Sequence, residues 1–300
     1  MSERHDMTGK RVLVTGANDG IGRATAAELA RSGAEVLLHG RNPAKVDEAT
    51  ATIRAETGAA VHGLVADFAR LAEVRRLADE VSERFGRLDV LVNNAGLIRD
   101  RLVLTEDGIE EVFQVNHLAP FLLTLALLPA LRAAGAARVV TVASGAHGMV
   151  KDLDLDQLAQ PRRYESMQVY AASKACNILF NAELARRVEG DGIVVNALHP
   201  GIIRSGFGSA DDVAGRVRWL FRLVRGFMKT PEQGAETAVF LARDPAGGAT
   251  TGGYFIRCKP AEPRTFAKNR QTAEALWALS ERLVAPHLPA AGVLAPAGST

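Results

Sequence analysis

The stretch "RVLVTGANDGIGRATAAELARSGAEVLLHG", residues 11–40, runs from a β-branched segment through a glycine-bearing turn into a helical pattern, then into a second apolar run. "RVLVT" (11–15) reads as a strand, 21–32 as a helix and "AEVLLHG" (34–40) as the next strand, which together make one βαβ unit. Within the turn Gly16 permits the tight reversal, while Gly20 and Gly22 let the backbone and the start of the helix approach a charged group closely. Orphan N–H groups and the helix dipole favour an anion at that end, so the strand–turn–helix order predicts a pyrophosphate cradle.

The alternation continues along the chain. A helix is expected after Pro43, a strand at 60–66, a helix at 70–85, the strand "LDVLVNNAG" at 88–96, a long helix near 105–133 and a strand at 137–144. A helix at 168–189, a strand at 192–200, a helix near 232–243 and a short strand at 252–257 complete the series. Strands that alternate with helices of this length require right-handed crossovers over a parallel sheet. The expected fold is a single-domain, doubly wound, Rossmann-like α/β sheet of about seven strands, with helices on both faces. It spans residues 1–300, with a core at about 10–258. Segments 145–167 and 203–231 interrupt the rhythm where strand ends open, and are the expected substrate walls, 203–231 as a lid. An extension from about 259 to 300 carries a helical stretch at 272–284 and a Pro/Ala/Gly-rich end expected to be disordered.

Composition narrows the function classes. The 300 residues are 47% hydrophobic with a net charge of +2 and interspersed signs, so no field strong enough to gather nucleic acid or anionic lipid is expected. Two cysteines, Cys176 and Cys258, stand apart from each other and from any histidine cluster, which speaks against a disulfide framework or a metal site and fits a reducing cytoplasm. The N-terminus has no apolar signal core, and the longest apolar run, 118–131, contains prolines and is short for a bilayer. Expected partners are therefore small molecules, without a membrane span. The basic amphipathic stretch 213–229 is read as the apolar-faced lid, with surface association at a membrane as its alternative.

At the end of the second strand, folds that prefer NAD place an acid for the ribose 2′-hydroxyl. Here "HGRN" puts Gly40 in that place and Arg41 after it, so NADP(H) is favoured over NAD(H), because a guanidinium suits a 2′-phosphate. Asp19 in the glycine turn is the one nearby acid that weighs against this.

Tyr170 and Lys174 lie four positions apart on one helical face, following the strand whose end supplies Ser144. A free tyrosine titrates near 10, so it needs a neighbouring cation to exchange a proton at neutral pH, and Lys174 one turn away provides one.

With TGxxxGxG at 15–22, Asp67, NNAG at 93–96, Asn116, Ser144, YxxxK at 170–174 and PG at 200–201, the chain resembles the short-chain dehydrogenase/reductase family. "FQVNHLAPFLLT" (113–124), "SKACNILFNAELARR" (173–187), "ALHPGIIRS" (197–205) and "GYFIRCKP" (253–260) are similar to its retinol dehydrogenase-like branch. Two departures are a missing membrane anchor and "TVASGAH" (141–147) where a double serine is usual.

The resemblance implies that Ser144 holds the substrate oxygen, Tyr170 exchanges the proton, Lys174 holds the nicotinamide ribose and Asn116 supports a water beside Lys174. It implies cofactor contacts from Thr15, Gly16, Asn18, Gly20, Ile21, Gly22, Arg41 and Asn42. Asp67 would meet the adenine, Asn93, Ala95 and Gly96 the adenosine ribose side, and Pro200, Gly201 and Ile203 the nicotinamide. It also implies homodimerisation through the helices near 105–133 and 168–189. Plainer roles remain open for Asn116 as a buried polar tie, Asp67 as a helix cap, Ser144 as a strand-end serine, and His147 and His199 as packing or hydrogen-bonding groups. The expected activity is NADP(H)-dependent interconversion of a lipophilic aldehyde or ketone and its alcohol. The alternatives are a ketoreductase of secondary metabolism and a non-catalytic NADP(H) sensor or scaffold.

Overall fold

Strand β1 (Arg11–Val14) pairs in parallel with β2 (Glu35–Gly40) on one side and with β4 (Val90–Asn93) on the other. In the computed structural model, which describes residues 5–201 and 229–288, β3 (Val61–Val65) continues the sheet beyond β2. On the other side follow β5 (Ala137–Val142), β6 (Ile193–His199) and β7 (Tyr254–Ile256), giving the order 3-2-1-4-5-6-7, all parallel. The chain leaves β1 toward β2 and β3, whereas β4 begins the opposite direction. The carboxyl ends of β1 and β4 thus part to form the crevice in which doubly wound sheets bind ligands.

An eighth strand, β8 (Lys259–Ala261), pairs antiparallel with β7, one more than the sequence predicts. Arg257 and Cys258 form the turn between them with φ of 53° and 60°, the paired positive values of a two-residue hairpin. Such turns usually carry Asn or Gly, so "RC" gave no signal. Pro260 lies on this edge strand, where a missing N–H is tolerated.

Helices α1 (Gly20–Arg31), α2 (Pro43–Thr57) and a later one at Pro231–Arg243 cover one face of the sheet. The other face carries α3 (Leu71–Phe85), α4 (Glu111–Arg132) and α5 (Ser166–Arg187), so the late helix is α6 and the C-terminal Arg270–Val284 is α7. The helix expected near 105–133 starts at Glu111, and a π turn over Gln114–Leu118 joins its two α segments. It is long and apolar enough to cross a membrane, yet 89% of its apolar window is buried inside the protein. An all-round apolar helix needs cover on every side.

That cover includes α7, which lies on the outer side of α4 and α5. The Trp277 ring meets Phe121 edge-on at 4.9 Å and stacks on Phe180 at 5.9 Å, and the Arg187 guanidinium sits 4.3 Å from its centroid. His117, inside the π turn, bonds through Nε2 to the Ser280 hydroxyl at 2.9 Å. The helical reading of 272–284 is therefore met, and the helix is part of the core. The chain end at 289–300, expected to be disordered, lies outside the described residues. Trp277→Ala is expected to cost about 3–5 kcal/mol in urea unfolding. Trp277→Phe, which keeps most of the stacking, should cost well under half of that.

Candidate active site

The glycine turn is packed too closely to admit side chains at its glycines. At Gly16, with φ of 62°, a Cβ would stand 2.9 Å from Ala95 Cα, and at Gly22 one would stand 2.2 Å from the Gly16 carbonyl oxygen. No side chain fits either place, and the close approach sets the start of α1 beside the end of β4. The Thr15 hydroxyl accepts from the Asn94 and Ala95 N–H groups at 2.9 and 3.0 Å. Asn94 Nδ2 returns the tie to the Thr15 and Gly16 carbonyls at 2.8 and 3.1 Å. The sequence reading named Asn93 and passed over Asn94. Asn93 instead turns into the core, donating to the Thr124 hydroxyl at 2.9 Å, so its side chain is not on the nucleotide side. Alternation along a strand was the available signal: neighbours 93 and 94 must face opposite ways.

His39 was also missed. Its Nε2–H donates to the Ala66 carbonyl at 3.0 Å, its Nδ1 accepts from the Gly16 N–H at 3.4 Å, and it stacks on Phe68 at 4.4 Å. Burial pushes its pKa down to about 4, so it is neutral and clips the glycine turn to the end of β3.

At the end of β2 a Cβ on Gly40 would stand 2.6 Å from Asn18 Oδ1 and 2.8 Å from Val46 Cγ2. The place of the usual acid is thus closed from two sides. Arg41 next to it is exposed and has no ion-pair partner among the described residues. Asn42 caps α2 by accepting from the Lys45 N–H at 3.1 Å. Asp19 loses its weight as a ribose-facing acid, because it caps α1 and accepts from the Gly20 N–H at 2.7 Å. Ile21 packs partly buried beneath the turn.

The cap reading of Asp67 is not met. Its Oδ1 accepts from the Ala69 N–H at 3.0 Å, while the first turn of α3 is capped by Asp107, whose Oδ2 accepts from the Leu71 N–H at 3.1 Å.

Ser144, Tyr170 and Lys174 meet at the carboxyl edge of β5. The Ser144 hydroxyl is hydrogen-bonded to Tyr170 and also accepts from the Ala146 N–H at 3.1 Å. Burial pushes the Tyr170 phenol up to about 12 and the Ser144 bond draws it partly back. Lys174, 4% exposed, has its Nζ 5.7 Å from the Tyr170 ring centroid and donates to the Val142 carbonyl at 3.1 Å. Burial lowers its pKa to about 8. A Cβ on Gly96 would stand 3.1 Å from Asn116 Oδ1 and 3.4 Å from Lys174 Nζ, so the end of the NNAG segment lies against both.

Asn116 is fully buried and committed to the protein. Its Oδ1 accepts from the Leu97 N–H at 2.8 Å, and its Nδ2 donates to the Leu97 carbonyl and the Ser173 hydroxyl, each at 3.0 Å. It fixes the loop after β4, and both amide hydrogens are used, so the side chain has no donor left for a water beside Lys174.

His199 Nδ1 accepts from the Gly145 N–H at 3.0 Å, and His147 Nδ1 donates to the Ser144 carbonyl at 2.6 Å. Both serve as hydrogen-bonding groups, and burial lowers the pKa of each. Cys176 is buried in the core. Pro200 and Gly201 follow β6, Gly201 with φ of 99°. Ile203, most of the segment 203–231, and the basic stretch 213–229 apart from Lys229 lie outside the described residues.

Comparison with known proteins agrees with this arrangement. Residues 10–212 match the short chain dehydrogenase family. The chain is 42% identical to human (Homo sapiens) retinol dehydrogenase 14 over 293 residues, covering 93% of this chain and 87% of that one. It is 40% identical to the WW domain-containing oxidoreductase of Danio rerio, covering 93% and 69%. Among solved structures, an uncharacterised protein from Mycobacterium paratuberculosis superposes with a TM-score of 0.76 at 33% identity, covering 94% and 95%. L-Sorbose reductase from Gluconobacter frateurii, complexed with NADPH and L-sorbose, gives 0.68 at 25%, covering 84% and 96%.

Because Val46 and Asn18 close the space over Gly40, Gly40→Asp is expected to destabilise the chain by about 1–3 kcal/mol through overpacking. In a double-mutant cycle read by urea unfolding, Val46→Ala should return part of that loss. Strict additivity of the two changes would show that position 40 is open.

Proposed function

The chain belongs to the short chain dehydrogenase family, in its retinol dehydrogenase-like branch, and from that premise we propose that it reduces lipophilic aldehydes or ketones to alcohols, reversibly, with NADP(H). The observation that carries the reading is the contact of Ser144, Tyr170 and Lys174 at one strand edge, together with the tightly closed glycine turn between β1 and α1. The family makes the chain an alcohol oxidoreductase that uses a nicotinamide cofactor. The cradle fits such a group, since bare Gly16 and Gly22 let the turn close against the end of β4 and bring the orphan N–H groups at the start of α1 to the crevice a pyrophosphate would enter.

When bound, the nicotinamide supplies the hydride for reduction and accepts it in the reverse direction. The protein supplies the rest. Thr15, Gly16 and Gly22 shape the cradle, with Asn94 holding its wall. Ser144 donates to the carbonyl oxygen and orients it toward Tyr170. Tyr170, kept protonated by burial, passes its phenol proton to the oxygen as negative charge develops there. Lys174, whose pKa of about 8 leaves it mostly cationic at neutral pH, stabilises the phenolate that remains. In oxidation the same groups run backward.

The closed space at Gly40 and Arg41, which has no ion-pair partner among the described residues, support NADP(H) over NAD(H). The retinol dehydrogenase relatives support a lipophilic substrate. Two free cysteines fit a reducing cytoplasm. A homodimer through α4 and α5 would have to use the parts of those helices that α7 leaves uncovered.

Loss of reduced-cofactor absorbance with a panel of lipophilic aldehydes and ketones tests the reading. Tyr170→Phe is expected to lower kcat by roughly 10²–10⁴-fold, with NADP(H) affinity measured by calorimetry unchanged. A variant that keeps wild-type kcat would remove Tyr170 from the chemistry.

A further inference from the structure

A cavity of about 580 Å³, within the range of small-molecule sites, is lined by Gly145, the residue that follows Ser144. Its walls come from the 3₁₀ turn Gly145–Met149 that follows the serine, from β7 and from the C-terminal extension, with Tyr254, Ile256 and Arg264 facing Gly145, His147 and Met149. His147 joins the two walls. Its Nδ1 donates to the Ser144 carbonyl, its Nε2 accepts from the Arg264 N–H at 3.3 Å, and Tyr254 meets its ring edge-on at 5.4 Å. A single imidazole therefore separates the serine backbone from Arg264.

The lining mixes polar and apolar surface, with Ile256, Pro263 and Met149, which is 48% exposed, supplying much of the apolar part. It carries one charge of each sign, Arg264 and Glu262, of which only the acid has an ion-pair partner among the described residues. Arg264 lies along the bare backbone of Gly148, with Nε 3.3 Å from where a Cβ there would stand, and has no carboxylate partner among the described residues. The acid on the same wall, Glu262, is ion-paired with Lys268 and turned to solvent. A second cation without such a partner, Lys229, packs over Gly201. The charged neighbours felt by His147 and His199 are Arg264 and Lys229, and no acid acts on either ring.

We infer that this cavity receives the far end of an amphiphilic carbonyl substrate, an apolar chain ending in a carboxylate that pairs with Arg264. The inference deepens the proposed function and rests on its placement of the reacting carbonyl at Ser144 and Tyr170. A guanidinium on the wall of a cavity that also presents apolar side chains suits a carboxylate at the end of an apolar chain, which it can hold through two parallel N–H bonds. Arg264 is a specificity-determining residue here and takes no part in the proton transfer.

The test compares decanal with 10-oxodecanoate, which share a reacting end and differ in the carboxylate. The wild-type chain is expected to show a KM for 10-oxodecanoate about tenfold below that for decanal, with similar kcat. Arg264→Gln should raise the KM for 10-oxodecanoate to that for decanal and leave kcat, the decanal constants and NADPH affinity as they were. Arg264→Lys should recover part of the gap, and added salt should narrow it. Equal KM values in the wild type, or a gap that survives Arg264→Gln, would overturn the inference. If neither aldehyde turns over, the reduction reading has failed separately, and calorimetry with decanoate decides the pocket. Binding weakened about tenfold by Arg264→Gln supports the site, and no binding to the wild type overturns it.

Discussion

The Gly16 carbonyl oxygen comes within 2.2 Å of where a side chain on Gly22 would begin. This backbone contact folds the turn between β1 and α1 tightly enough that the helix starts beside the end of β4. Asn94, Thr15 and the neutral ring of His39 then fasten the turn to β4 and β3 through hydrogen bonds that take no charge from the cradle. A side chain larger than hydrogen at 16 or 22 would push the helix off the sheet and open the crevice where β1 and β4 part. The nucleotide site and the sheet topology are in this sense one feature.

At the other side of the crevice the dominant force is desolvation. Tyr170 and Lys174 are buried where neither would ionise or protonate freely, so the phenol is driven up to about 12 and the ammonium down to about 8. The two shifts drive the values apart, from nearly equal in free side chains to about 12 for the phenol and about 8 for the ammonium. Burial alone leaves a proton on the phenol, the form that can protonate an alkoxide, with a cation beside it for the moment when the proton has left. The cost of burying Lys174 is offset in part by its bond to the Val142 carbonyl. Asn116 contributes by fixing the loop from Gly96 to Leu97 against the lysine.

The βαβ rhythm, the parallel sheet and the positions of Ser144, Tyr170 and Lys174 could be read from sequence because each follows from local periodicity or from a motif in strand context. Trp277 and its helix were legible for the same reason. What escaped depended on neighbours distant in the chain. Nothing in Arg257 and Cys258 announces a hairpin. The plainer reading of Asp67 as a cap fails because Asp107 from another segment takes that role, and Asp19 looked like a competing acid until it proved to be the cap of α1. Gly40 reads as a missing acid, but only the fold shows that Val46 and Asn18 keep a side chain out. Arg264 gave no sign of lying near Ser144, since the path between them runs through the ring of His147.

The central claim is that burial holds Tyr170 protonated in the free chain and that a positive neighbour releases it. The difference in tyrosinate absorbance between the wild type and Tyr170→Phe, followed against pH with and without bound NADP⁺, reads this directly. Without the nucleotide, no Tyr170 signal is expected until the pH passes well above 10, the value of a free tyrosine. With NADP⁺ bound, the signal should move to lower pH. A phenol that titrates near 10 in the free chain, or one that ignores the nucleotide, would contradict the claim.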